Sequence, residues 1–202
     1  MLDFGLVVVR NLKMQNLGKF YIGGKWVDPQ SRSKFRVLNP ALETTIGDTI
    51  LGNLDDVNSA VSKAKEAFTF YSQTSQEKRL ELLKGLLSLM ERRFEDLAQA
   101  MTLEMGVPIT FSRNQQADSG IGHLKSFIES LKDLPEREKL RNGDILVREP
   151  IGVCGLITPW NWPINQITLK VIPALAVGCT CILKPSEHTP LSAMIFAEII
   201  DE

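Results

Sequence analysis

The chain has 202 residues, 44% of them hydrophobic and 23% charged, with a formal net charge of −1 and a pI of about 6.2. That length is enough for one domain with a sizeable core. The even charge balance, without a block of like charges, argues against a nucleic-acid or anionic-membrane surface. The longest apolar stretches are interrupted by Lys170, Pro173 and Gly178, so no transmembrane helix is expected. The patch at residues 6–9 (LVVV) is too short for a signal-peptide core and lacks a cationic start, which predicts a cytoplasmic protein.

Residues 20–27 alternate in polarity around Gly23-Gly24, the pattern of a β-hairpin. Residues 35–38 and 44–50 read as short strands, with Asn39-Pro40 turning the chain between them. The first helix is expected to begin at Asn53 with Asp56 as its reciprocal cap. Val57, Val61, Ala64, Phe68 and Tyr71 then give it one apolar face. Thr74 and Glu77 form the next capping box. Behind them Leu80, Leu83, Leu87, Met90, Phe94, Leu97 and Met101 recur at steps of three and four. The alternation alone also fits a coiled-coil seam. Leu82, Leu86 and Leu89 widen the stripe, which favours one long helix packed inside a domain and ending near Gly106-Val107-Pro108. A third helix over 114–131 turns Ala117, Ile121, Leu124, Phe127, Ile128 and Leu131 inward and leaves His123 at its edge. Residues 135–142 form a charged, exposed connection, and 144–148 a short strand.

Residues 151–157 are an apolar run without charge, which suits a strand buried on both faces. Pro159 and Pro163 break the segment 158–163 (TPWNWP), and Pro163 suits the first position of a helix with Asn161 or Trp162 as its cap. The helix runs over 164–177 and stops at Gly178. A second buried strand over 179–183 leads into Lys184-Pro185-Ser186-Glu187. This is a βαβ unit, so the strands should be parallel neighbours, and both polar turns lie at their carboxyl ends, where such sheets bind ligands. A last helix starts at Thr189-Pro190. Cys154, Cys179 and Cys181 sit in the expected strands as one C-x-C pair and a distant third, a spacing that fits packing rather than a metal site, so no metal is expected.

Residues 148–153 (REPIGV), 158–163 (TPWNWP), 169–178 (LKVIPALAVG) and 183–193 (LKPSEHTPLSA), in this order and spacing, together with 19–28 (KFYIGGKWVD), resemble the N-terminal portion of the NAD(P)-dependent aldehyde dehydrogenase superfamily. The resemblance covers nearly everything after Met14. It implies an α/β fold: a partial doubly wound parallel sheet, as in that superfamily's cofactor domain, with an N-terminal helical layer and a small β-hairpin. It divides the chain into an N-terminal extension (1–13), the first part of the cofactor domain (14–131), an oligomerisation-arm segment (132–150) and the start of the βαβ cofactor-binding core (151–202).

Aldehyde oxidation needs a nucleophile, donors for the oxyanion, a hydride acceptor and a base. On the residues alone Asn161 reads equally as an oxyanion donor or as a helix cap. The resemblance implies the donor. It also carries over Ile157, Thr158, Pro159 and Trp160 as cofactor-lining positions, Lys184, Ser186 and Glu187 as the turn at the adenosine ribose, and Trp162 as a wall of the aldehyde tunnel. The Glu187 carboxylate suits ribose hydroxyls and would repel a 2′-phosphate, which tilts the cofactor to NAD with NADP still open. No G-x-G-x-x-G is present. The superfamily's catalytic cysteine and general-base glutamate match nothing here, so the 202-residue chain is expected to be inactive alone. The resemblance implies a small aldehyde as substrate and a homo-oligomer. Two alternatives stand beside it: a non-catalytic nucleotide-binding or assembly module, and half of a split enzyme whose complementary chain carries the catalytic domain.

Overall fold

Gly23 and Gly24 hold φ of +60° and +74°, the two left-handed positions that a tight turn needs to join strands of right-handed twist. They connect β1 (Phe20–Ile22) to β2 (Lys25–Val27), as the sequence predicts. The computed structural model describes residues 16–202, and the expected extension at 1–13 lies outside the described residues. A second antiparallel pair, β3 (Lys34–Asn39) and β4 (Thr44–Ile50), carries a register shift between Val37 and Leu38. Its turn is held by the Asn39 side chain, which accepts from the backbone N–H groups of Ala41 and Leu42.

Helix α1 (Leu54–Tyr71) begins with the expected reciprocal cap of Asn53 and Asp56. The buried Asp56 carboxylate also accepts from the N–H groups of Gln30 (2.7 Å) and Ser31 (3.2 Å), tying the 28–33 loop to the helix. Burial alone would raise its pKa; the three backbone donors together outweigh it and hold the group below the usual carboxylate range.

The long leucine-rich helix is two helices, α2 (Gln76–Arg92) and α3 (Phe94–Met105). The cap of α2 is Ser75, whose oxygen accepts from Lys78 N–H, while the hydroxyl of Thr74 turns back to donate to the Tyr71 carbonyl. The break at Arg93 has no proline or glycine behind it. The Arg93 guanidinium reaches Asp96 at 2.5 Å, Glu198 at 3.1 Å and Glu202 at 2.9 Å, and this tertiary anchoring overrides a pattern that runs on unbroken. Gly106 ends α3 at φ +69°, where a Cβ would stand 2.8 Å from the Ala41 nitrogen.

After Pro108 the chain turns helical five residues before the expected start, through α4 (Ile109–Phe111) and a wide π-type turn (Ser112–Ala117), into α5 (Asp118–Lys132). The Ser112 hydroxyl donates to the Ala98 carbonyl at 2.7 Å, pinning the wide turn to α3. Residues 137–139, expected as an open connection, form β5 (Arg137–Lys139), paired antiparallel with β6 (Ile145–Val147). The apolar side chains of β6 are exposed.

The buried Arg79 clips this hairpin to the core. Its guanidinium donates to the carbonyls of Ala176 (2.9 Å) and Thr74 and pairs with Glu136 at 2.8 Å. Replacing Arg79 with methionine keeps the packing volume but leaves two carbonyls unmet, each worth about 1–3 kcal/mol when buried. The expected result is a loss of about 2–3 kcal/mol in urea unfolding, with faster amide exchange across 135–148 than elsewhere.

The remaining unit is β7 (Val153–Ile157), α6 (Pro163–Ala176), β8 (Thr180–Lys184) and α7 (Pro190–Asp201). β7 and β8 pair in parallel from Val153 opposite Thr180 to Ile157 opposite Lys184. Gly178 stops the crossover at φ +87°, with Pro150 where a Cβ would go. Side chains alternate along β8. The Thr180 hydroxyl donates to the Ala64 carbonyl of α1, while Cys181 and Leu183 pack on the helical core formed by α2, α3, α5, α6 and α7. Helices thus cover both faces, as a doubly wound sheet requires. The strands are nevertheless only half-buried, against expectation, and Ile151 is 90% exposed. Among the described residues β7 and β8 have only each other as ladder partners. No helix among the described residues is long and apolar enough to cross a membrane.

Candidate functional site

The ladder of β7 and β8 ends in one further bond, from Thr158 N–H to the Lys184 carbonyl at 3.2 Å. This bond holds the two polar turns side by side at the carboxyl ends of the strands. Ile157, Thr158 and Lys184 are therefore neighbours, although 26 positions separate the last two in sequence. The Thr158 side chain is buried, while Ile157, Pro159 and Trp160 are exposed.

Asn161 does not take the capping position of α6. The cap of α6 is Trp162, at φ −148° and ψ 69°, with no side-chain cap bond and Pro163 in the first turn. Gln166 N–H closes the first turn on the Trp162 carbonyl at 2.9 Å. Asn161 is exposed, and among the described residues no hydrogen bond engages its amide. An asparagine held between two prolines at a strand end, with its donors unused, can serve an oxygen that is not part of the chain. The Trp162 ring meets Phe111 edge-on, centroids 5.8 Å apart, so it is neither core nor fully solvated.

In the second turn Lys184 Nζ lies 2.8 Å from a Glu187 oxygen. That lysine, by hydrogen bond and charge, holds the Glu187 carboxyl below the usual range, so it is an anion at neutral pH. Ser186 is buried, and its hydroxyl accepts from His188 N–H while its carbonyl accepts from Thr189 N–H. Lys184, Ser186 and Glu187 line one end of an apolar groove of about 570 Å³, walled by α1, α7 and the free edge of β8. Residues 157–162 do not border this groove. The two halves of the expected site thus flank the strand ends from different sides.

The start of α7 departs from expectation. Thr189 makes no side-chain cap bond. A fully buried carboxylate from α3, Glu104, accepts instead from Leu191 N–H (2.5 Å), Ser192 N–H (3.2 Å) and the Ser192 hydroxyl (2.5 Å). Glu104 stands 87 residues away in sequence and nothing in the α7 segment announces it. It fixes the helix that follows directly on the Lys184–Glu187 turn.

The three cysteines come together. Cys154 stands opposite Cys181 in the ladder, and Cys179 immediately precedes β8. Burial pushes the Cys181 thiol up to about 11, and it also raises Cys154. Neither is a thiolate near neutrality, which fits packing and not nucleophilic attack. Among the described residues no group of three His, Cys, Asp or Glu side chains is arranged to hold a metal ion.

Comparison with known proteins supplies the remaining findings. A family model described as the aldehyde dehydrogenase family matches residues 26–202. The chain is 46% identical over 190 residues to a 3-succinoylsemialdehyde-pyridine dehydrogenase of a Pseudomonas species, covering 94% of this chain and 40% of that protein. Its fold matches a crystal structure of an aldehyde dehydrogenase from Bartonella henselae with a TM-score of 0.89 at 46% identity, over 91% of this chain and 39% of that one. A mutant of aldehyde dehydrogenase C from Pseudomonas syringae, complexed with NAD+ and octanal, matches with a TM-score of 0.89 at 43% identity, over 92% and 38%. The chain spans about 40% of the length of the curated relatives it matches.

Proposed function

The chain belongs to the aldehyde dehydrogenase family, and from that premise we propose that it supplies the oxyanion donor and the adenosine-side turn of an enzyme oxidising an aldehyde to a carboxylic acid. The observation that carries this reading is the unused amide of Asn161 beside the strand ends, with Trp162 taking the capping position. When a sulfur nucleophile adds to the aldehyde, the carbonyl oxygen gains charge. The Asn161 Nδ2 group donates to that oxygen in the thiohemiacetal and at the transition states on either side of it. Being neutral, this donor does not titrate away. Trp162 and Phe111 form an apolar wall beside the reacting carbon.

A nicotinamide dinucleotide, when bound, accepts the hydride. The ionised Glu187 suits the ribose hydroxyls and Lys184 neutralises part of its charge, while Ser186 fixes the turn from within. Ile157, Thr158, Pro159 and Trp160 would line the strand-end side. Glu187 tilts the preference to NAD over NADP. The exposed apolar side chains of β6 support residues 132–150 as the arm through which copies of the chain would assemble as a homo-oligomer. Residues 14–131 and 151–202 are then the first part of one cofactor domain, and the cytoplasm its location. Nucleophile and general base would come from the family's remaining length, on the same polypeptide or on a complementary chain.

The purified 202-residue chain is therefore expected to form no NADH from any aldehyde, because burial keeps the Cys154 and Cys181 thiols protonated near neutrality and Cys179 is buried. NADH absorbance measured with the chain alone tests this, and cofactor-dependent turnover would refute it. Calorimetric titration with NAD addresses the other class. Tight binding by the inactive chain favours a nucleotide-binding module.

A further inference from the structure

One side of β8 is unused. Among the described residues this strand pairs only with β7. The Lys184 carbonyl is taken by Thr158 N–H, and along a strand in a parallel ladder successive residues aim their backbone groups to alternate sides. Thr180, Ile182 and Lys184 therefore face β7. The N–H and C=O groups of Cys181 and Leu183 face the other way, into the groove between α1 and α7. Among the described residues nothing bonds them there. Backbone donors and acceptors at the foot of an apolar groove cost free energy until they are paired, and an extended segment laid along the edge is what pairs them.

The walls of the groove restrict what can enter. Ala60, Ala64 and Ala67 line the α1 side, and Ala193 and Ala197 the α7 side. These short side chains leave a slot along the strand, with β8 at its floor. In a second copy β8 is sunk equally between its own α1 and α7, so two such edges cannot meet. A single extended chain can reach the floor.

The family model begins at residue 26, and residues 1–15 lie outside the described residues. Residues 4–9 (FGLVVV) form an uncharged run bounded by Asp3 and Arg10, about the length of the five-residue β8. Its three valines favour a strand, and an apolar residue at every position from 6 to 9 suits one covered on both faces. The described chain starts beside the groove. The Asn16 amide donates to Glu198 of α7 at 3.4 Å, the Leu17 carbonyl accepts from the Thr49 hydroxyl at 3.3 Å, and Lys19 and Phe20 line the groove itself. From residue 16 back to residue 9 the chain spans up to about 23 Å at about 3.3 Å per residue. Along α7, the step from Glu198 to Ala193 is only about 7–8 Å at about 1.5 Å per residue.

We infer that residues 4–10 of this chain lie in the groove as an added strand on the free edge of β8, paired to the backbone of Cys181 and Leu183. The N-terminal extension thereby covers the apolar strand edge that the βα units leave open. This inference does not depend on the reading of Asn161.

Backbone amide exchange in the 202-residue chain, followed by NMR, tests it. Cys181 and Leu183 are expected to exchange as slowly as Ile182 and Lys184, whose amides face β7. Prolines at both Val7 and Val8 remove two successive donors, one of which must point at β8. Val7→Pro with Val8→Pro should accelerate exchange at Cys181 and Leu183 by roughly 10-fold or more and leave Ile182 and Lys184 slow. Fast exchange at Cys181 and Leu183 in the unaltered chain overturns the inference, and so does protection that survives both prolines. Protection that grows with protein concentration assigns the groove to a second copy and overturns it equally. Should the prolines open all four amides, a chain beginning at Met14 decides. A peptide of residues 3–11 added to it should restore slow exchange at Cys181 and Leu183, and a scrambled peptide should not. Failure of the peptide to restore it, or equal restoration by both peptides, overturns the assignment.

Discussion

Asn161→Ala, made in the polypeptide completed by the rest of the family's length, is expected to lower kcat by roughly 10²–10³, about 2.7–4 kcal/mol of transition-state stabilisation. NAD affinity and thermal stability should stay unchanged. The loss falls on kcat because the donor meets full negative charge only after the sulfur has added, so ground-state binding changes little. The stability result separates this role from capping. A capping asparagine replaced by alanine costs about 1 kcal/mol. Asn161 is exposed, no described residue bonds its amide and Trp162 holds the cap position, so its removal should cost less than about 0.5 kcal/mol. Asn161→Asp should be worse than alanine for turnover, since a carboxylate would repel the oxyanion and offer no donor. Steady-state kinetics at saturating NAD, beside a thermal melt of each variant, gives both readouts. A large melting shift with intact kcat would return Asn161 to a purely structural part.

The parts of the chain legible beforehand are those fixed by local chemistry. Gly23-Gly24, the Asn53–Asp56 cap, the stop at Gly106 and the run of strand, proline-broken turn and helix through 151–187 each carry their cause within a few residues. What stayed hidden depends on distant partners. Nothing near Arg93 reports that Glu198 and Glu202 would draw the helix apart there. The strand at 137–139 exists because β6 lies opposite it, and its own charged sequence reads as a loop. The half-exposure of β7 and β8 was equally invisible, since an apolar run reports what a strand can bury and not what is present to cover it. In the candidate site, the turns bearing Asn161, Lys184 and Glu187 were recognisable as motifs. The hold of Glu104 on the first turn of α7 was not, because it exists only where α3 packs against α7.

Glu104 is the strongest case of a distant cause, and its replacement should have the largest effect on stability. Glu104→Ala leaves the N–H groups of Leu191 and Ser192 and the Ser192 hydroxyl without their acceptor in a fully buried place. At about 1–3 kcal/mol for each orphaned group, and not fully additive, the expected loss is about 3–5 kcal/mol. For a chain of this size that lowers the Tm by roughly 6–20 °C. The pH dependence has a definite sign. Burial pushes the Glu104 carboxyl from 4.5 up to about 7, although the three donors pull the other way. Ser192 makes a protonated form tenable, because its hydroxyl can rotate and accept from the acid. Between about 4.5 and 7 the folded chain then holds a proton that the unfolded chain has released. This contribution is fully present below about 4.5 and is lost as the pH rises through 7, a swing on the order of 3 kcal/mol. The urea midpoint of the wild type should fall relative to that of Glu104→Gln as pH rises across this interval, since glutamine cannot titrate. A difference that stays constant across the interval would mean that the three donors keep the carboxylate ionised throughout. Because α7 begins three residues after Glu187, whatever loosens its first turn also frees the Lys184–Glu187 turn. NAD binding in Glu104→Gln should therefore weaken under conditions where the variant remains folded.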